Sequence, residues 1–164
     1  AIRIEAMRRY DEYVSRARDY YPSFKAIGIL MLRYAKEQPK LFQLLFMTEN
    51  AQARRFDDVF DTLGETAKLS IEFVMNDYGL TTDEARFLFQ YVWTFTYGVS
   101  AMSATGMCDF SEDELVNMLG NEFMAVMSFI KSGMLGSIIT GIRPVKRDGA
   151  DGAALGTIGF EKSE

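Results

Sequence analysis

The chain has 164 residues and a net charge of −5, enough length for one domain with a sizeable core. Hydrophobic residues make up 48%, with 13 phenylalanines and 10 methionines, so a bulky, adaptable interior is expected. Histidine is absent and Cys108 is the single cysteine, which excludes Ser-His-Asp and Cys-His nucleophile arrangements, the usual zinc sites and an internal disulfide.

Charge is unevenly spread. Residues 1–40 hold nine Lys/Arg against five Asp/Glu, a balance of +4, and the remainder holds nine against eighteen, a balance of −9. The body of such a chain repels DNA, while the basic end reads either as a face for a polyanion or as a solvated helix face. The longest apolar run, Ala26–Leu32, is about seven residues, far short of the ~20 that span a bilayer. No secretory signal is present and the lone thiol suits a reducing cytoplasm. A cytoplasmic protein without membrane contact is expected.

In chain order, the first helix is predicted over about Ile2–Ala17, with Ile4, Met7, Tyr10 and Val14 as its apolar stripe. A second helix opens near Pro22, is apolar on every side through Ala26–Leu32, and stops before Pro39, as expected of a helix enclosed by others. Pro39 opens a short third helix through Met47, because proline at a first helical position loses no hydrogen bond. The fourth, about Gln52–Tyr78, carries Phe56, Phe60, Leu63, Ala67, Ile71, Val74 and Tyr78 on one side and Asp57, Asp58, Asp61, Glu65, Lys68 and Glu72 on the other. Gly79 reads as a left-handed cap with Leu80 as its hydrophobic contact.

Two capping boxes follow, Thr81–Glu84 for the fifth helix and Ser111–Glu114 for the sixth. Each of these helices has two apolar stripes. In the fifth, Leu88, Val92, Phe95, Val99 and Met102 form one, and Phe87, Tyr91, Gly98 and Ala101 the other. In the sixth, which runs to about Met134, Leu115, Leu119, Phe123, Val126, Ile130 and Met134 are flanked by Met118, Ala125 and Phe129. Either the core is large enough to enclose both stripes, or one fills the core and the second meets a partner. The second arrangement is expected, with Gly98, Ser100, Ala101, Ser103 and Ala104 letting the partner approach closely. A homodimer is expected through Phe87, Tyr91, Gly98, Ala101, Met118, Ala125 and Phe129. Beyond the helical domain of residues 1–142, residues 143–164 form a Gly-rich tail, either loose or a short docked strand.

Chemistry is sparse. Paired Glu-x-x-His motifs and Gly-rich phosphate loops are missing. Asp57, Asp58 and Asp61 read as a solvated face, and Cys108 has no basic neighbour to activate it. No enzyme activity, metal or cofactor is expected.

The stretch RYAKEQPKLFQLLFM, residues 33–47, resembles the segment of TetR-family transcriptional regulators in which one helix ends and a Pro-led helix of Leu and Phe follows. YVWTFTYGVSAMSATG, residues 91–106, is similar to that family's penultimate helix, and the capped helix from Ser111 to its final dimerisation helix. The likeness covers roughly residues 1–140. Tyr97-Gly98 stands where many members carry His-Gly, and the family's helix-turn-helix head has no counterpart here. The resemblance implies an all-α bundle of about six helices, dimerising through the last two, that serves as the regulatory body of a repressor. DNA would be bound only through a head absent from these residues. A small apolar or aromatic effector would enter an internal pocket and shift the first and fourth helices. The expected walls are Tyr34, Phe60, Trp93 and Tyr97, then Phe24, Met31 and Phe56, with the Tyr34 and Tyr97 hydroxyls orienting the ligand. The alternative is a helical protein-interaction module without a ligand.

Overall fold

A computed structural model describes residues 2–49 and 55–135. Among them the chain is all-α, with no strand. Helices α1 (Ile2–Ser15), α2 (Ser23–Glu37), α3 (Pro39–Phe46), α4 (Phe56–Leu63), α5 (Glu65–Tyr78), α6 (Thr82–Ala104) and α7 (Glu112–Lys131) are joined by short connections, one of them the 3-10 turn Arg16–Asp19. Residues 1–134 make one compact unit. The boundary expected at residue 142, the Gly-rich tail and the expected helix start at Gln52 lie outside the described residues.

The local signals act where the sequence places them. Pro39 occupies the first turn of α3. Gly79 adopts the left-handed conformation and its N–H donates to the Met75 carbonyl at 2.9 Å, with Leu80 packed on the core. In both capping boxes the hydroxyl of Thr81 or Ser111 accepts from the N–H of Glu84 or Glu114, and the glutamate accepts in return from the cap's N–H at 2.9 and 2.8 Å. These bonds satisfy amides that the helix cannot pair internally.

Two expectations need correction. The single helix expected through Tyr78 is two, because Gly64 sits at φ 53°, ψ −121°, a conformation that only glycine adopts without strain. The apolar stripe nonetheless continues across the break: Leu63, Ala67 and Val74 are buried, with Phe56, Phe60, Ile71 and Tyr78 packed around them. Ile4 is 77% exposed, and the buried line of α1 is Ala6, Tyr10 and Val14, continued by Ala17 in the 3-10 turn. Residues spaced by four track one helix face, whereas Ile4 lies two positions off that line.

Helix α2 is covered from both sides. Ile27, Leu30, Met31, Tyr34 and Ala35 pack with α1 and α3 in one hydrophobic cluster, and Phe24 and Leu32 join α4–α7 in another. Tyr34 is fully buried, meets Tyr10 and Tyr13 edge to face at 5.5 and 5.2 Å, and donates its hydroxyl to the Ala6 carbonyl at 3.1 Å. Burial pushes its phenol up to about 12 and raises that of Tyr10 further. The arginines of α1 are largely spent within the chain. Arg8 pairs with Glu5 and Glu12, Arg9 with Glu5, and Arg3 reaches Thr48 and the Leu45 carbonyl. The Arg8 hydrogen bond, seconded by Arg9, holds Glu5 at about 2. A solvated, internally paired face accounts for this basic end.

Replacing Gly64 with alanine should cost roughly 1–3 kcal/mol, since the substituted residue must hold a sparsely populated backbone conformation; urea midpoints measure it. Removing a cap by Thr81→Ala or Ser111→Ala should cost about 1 kcal/mol each. The cap amides, with the hydroxyls behind them, hold the Glu84 and Glu114 carboxyls below their ordinary 4.5. Their contribution is therefore complete above pH 4.5 and drains away as pH falls through the lowered folded values. Melting temperatures followed downward from neutral pH should show this acid limb, flattened in the Glu84→Ala/Glu114→Ala pair.

Candidate ligand-binding site

A cavity of about 180 Å³ lies between α2, α5, α6 and α7. Its walls follow helical spacing. Phe24, Ile27, Gly28 and Met31 come from one face of α2, and Phe89, Val92, Trp93 and Thr96 from one face of α6, each set at i, i+3, i+4, i+7. Leu119, Gly120, Phe123 and Met124 close it from α7, and Tyr78 from the last position of α5. Met31, 1% exposed, is on the enclosed side, while the exposed Lys25 and Met124 mark the rim.

The lining is apolar with three polar groups. The Thr96 hydroxyl donates to the Val92 carbonyl at 2.7 Å, leaving only acceptor capacity toward the cavity. The Tyr78 phenol is raised by burial and by the charge of Asp77, so it stays protonated and available as a donor. Lys25 is the one charged residue among the lining residues. Such a cavity suits a small, mainly apolar molecule held in place by few polar contacts. Among the described residues no group of three or more His, Cys, Asp or Glu side chains could hold a metal ion. The carboxylates of α4 serve elsewhere: Asp57 pairs with Arg86 at 3.1 Å, and Asp58 accepts from the Arg55 N–H at 2.7 Å.

Of the seven residues expected at a ligand site, Phe24, Met31 and Trp93 border the cavity. Tyr34 lies one turn beyond Met31, outside the cavity lining, where it packs with Tyr10 and donates its hydroxyl to the Ala6 carbonyl. Tyr97 stacks on Trp93 at 5.5 Å and donates to the Phe46 carbonyl at 3.0 Å. Both hydroxyls spend their proton on backbone carbonyls, and neither residue lines the cavity. Phe56 and Phe60 stand behind the wall, 6.0 Å from Trp93 and 4.8 Å from Phe89. The sequence reading missed Gly28, Gly120 and Thr96, small residues in otherwise bulky helices. That contrast was the available signal. At Gly28 a Cβ would fall 2.6 Å from Leu119 Cδ2, so α2 and α7 meet there; at Gly120 it would meet nothing within 4 Å.

The other surface of α6 and α7 carries the residues expected at a dimer interface. Phe87 stacks on Phe129 at 5.7 Å and lies 4.5 Å from Tyr91. Tyr91 is 49% exposed and Ala125 is exposed, while Phe87, Gly98, Ala101, Met118 and Phe129 are half-buried. No charged residue occurs between Arg86 and Asp109, and only Glu122 between Glu114 and Lys131. Two of the small residues expected to face a partner, Ser100 and Ala104, are buried within this chain, Ala104 in the hydrophobic cluster of α1, α2 and α3. Gln43 bonds the Ala104 carbonyl at 2.6 Å. Among the described residues no helix is long and apolar enough to cross a membrane.

Gly120→Ala should stabilise the protein by up to about 1 kcal/mol, the helix-propensity gain with no steric cost. Gly28→Ala should lose that gain, because Leu119 must move. Thermal unfolding of the two variants separates a packed glycine from an unpacked one. The chain matches no protein-family profile, no curated protein and no solved structure, so the chemistry of the site is read from its own residues.

Proposed function

We propose that this chain is the effector-binding and dimerising body of a TetR-like transcriptional regulator, with DNA contacted through a helix-turn-helix segment outside these residues. One observation carries the reading. Helices α6 and α7 each present one face to the apolar cavity and another, half-exposed and almost without charge, to the outside. A molecule lodged between Trp93 and Phe123 bears on the same two helices that would meet a second subunit.

The coupling follows from the packing. Ligand in the cavity presses on Phe24, Ile27 and Met31 of α2, and Ile27 and Met31 belong to the same cluster through which Tyr34 and Tyr10 hold α1 to α2. In the TetR-like arrangement α1 leads toward the DNA-binding head. A ligand that favours one separation of α2 from α6 and α7 therefore biases the position of α1 in both subunits. Coupling of this kind is typically worth about 1–3 kcal/mol. The cavity is small enough that the displacement is of side-chain size, which packed helices pass on as a shift rather than absorb.

Sedimentation at micromolar concentration should give a dimer. Tyr91→Glu and Ala125→Glu place a charge on exposed positions of the outer face and should each give a folded monomer with an unchanged helical spectrum. A wild-type monomer, or dimers in both variants, overturns the proposed interface. Heteromeric capture by the same face without any small-molecule thermal shift would instead fit a protein-interaction module.

A further inference from the structure

We propose that the ligand is a small amphipathic monoanion, an aromatic ring or short hydrocarbon chain seated in the cavity with its carboxylate at Lys25. This rests on the reading of the cavity as an effector site and names the class of molecule it takes.

Size comes first. A cavity of about 150 Å³ in an apolar protein core holds benzene, so about 180 Å³ accommodates one ring and a short linker. Phe24, Trp93 and Phe123 supply aromatic surface against which a ring packs.

The head group follows from Lys25. It lies on the exposed rim, and no described residue pairs with it in an ion pair or hydrogen bond. It also occupies the first turn of α2, where the helix dipole disfavours a cation. The preceding cap, Pro22, offers no side-chain acceptor to that turn, and no acidic residue occurs in it. Lys25 is thus the one charged group at the cavity, and no acid in its own helical turn offsets it. A carboxylate at the rim relieves both conflicts, meeting the ammonium and the positive end of α2. The Tyr78 hydroxyl, on the cavity wall, is a second donor. Asp77, whose charge acts on Tyr78, does not line the cavity. Lys25 belongs to the basic first forty residues, balance +4, while the remainder of the chain carries −9, so an anion is favoured at this end of the cavity.

The test uses three probes with one hydrocarbon body: 3-phenylpropionate, 3-phenylpropan-1-ol and 3-phenylpropylamine. Trp93 is the only tryptophan and borders the cavity, so its fluorescence reports each titration directly. The expected order of affinity is carboxylate, then alcohol, then amine. Lys25→Met should weaken the carboxylate about three- to tenfold, the scale of a partly exposed charge pair, and leave the alcohol unchanged. Added salt should reduce the carboxylate's advantage in the wild type only. Alcohol or amine binding as tightly as the carboxylate, or a carboxylate indifferent to Lys25→Met, overturns the anion assignment and leaves the cavity reading standing. No response of Trp93 to any of the three overturns both.

Discussion

Helix α2 turns only one narrow stripe, Lys25, Arg33, Lys36 and Glu37, to solvent, and the covering of its remaining faces organises the protein. Seven of its residues are buried, from Phe24 to Ala35, and each large side chain removed from water contributes about 1.5–3 kcal/mol. A helix so apolar must be covered from several directions at once. Helices α1 and α3 cover one side and α5, α6 and α7 the other, so the two hydrophobic clusters of the domain share α2 as a common wall. The cavity opens beside Gly120, where a Cβ would meet nothing within 4 Å, next to the tight contact of Gly28 with Leu119 and across from the ring of Trp93.

Helix α6 carries the opposite compromise. It is the longest helix among the described residues, and it borders the cavity, carries the half-exposed outer face and holds the aromatic ladder from Phe89 through Trp93 to Tyr97. It also holds buried polar atoms without a protein partner among the described residues, Trp93 Nε1, Ser100 Oγ and Ser103 Oγ. A buried donor or acceptor left unpaired costs about 1–3 kcal/mol. Stability alone would favour apolar residues at these positions. Under the proposed function this helix would meet a ligand on one face and a partner on the other, and such costs are tolerated at sites of that kind.

Under the proposed function, the division of labour between the two ends of α2 would carry occupancy of the cavity to α1. Near its start, Phe24 and Lys25 border the cavity; near its end, Tyr34 ties the helix to α1 through a buried hydrogen bond. A rigid rod of fifteen residues spans about 22 Å, so a small tilt at one end appears at the other. The aromatic contacts among Tyr10, Tyr34 and Phe46 keep α1 from slipping independently.

The limits of a sequence reading are clear in particular residues. Pro39, Gly79 and the Thr81 and Ser111 boxes punctuate the helices through interactions within three or four residues, so their outcome is independent of the rest of the fold. The buried character of α2 was equally legible, because a helix apolar on every side has no other stable place. Gly64 was not, since a glycine in a periodic stretch sits in a helix or breaks it according to how the flanking segments pack. Nor were the fates of Tyr34 and Tyr97, whose hydroxyls found carbonyls 28 and 51 residues away. Sequence by itself therefore determined the all-α class, the helix ends and which helix lies inside, all of them consequences of short-range bonding and periodicity. Only the tertiary structure decided which aromatic rings wall the cavity and which are spent on packing, because that choice depends on distances between helices far apart in the chain.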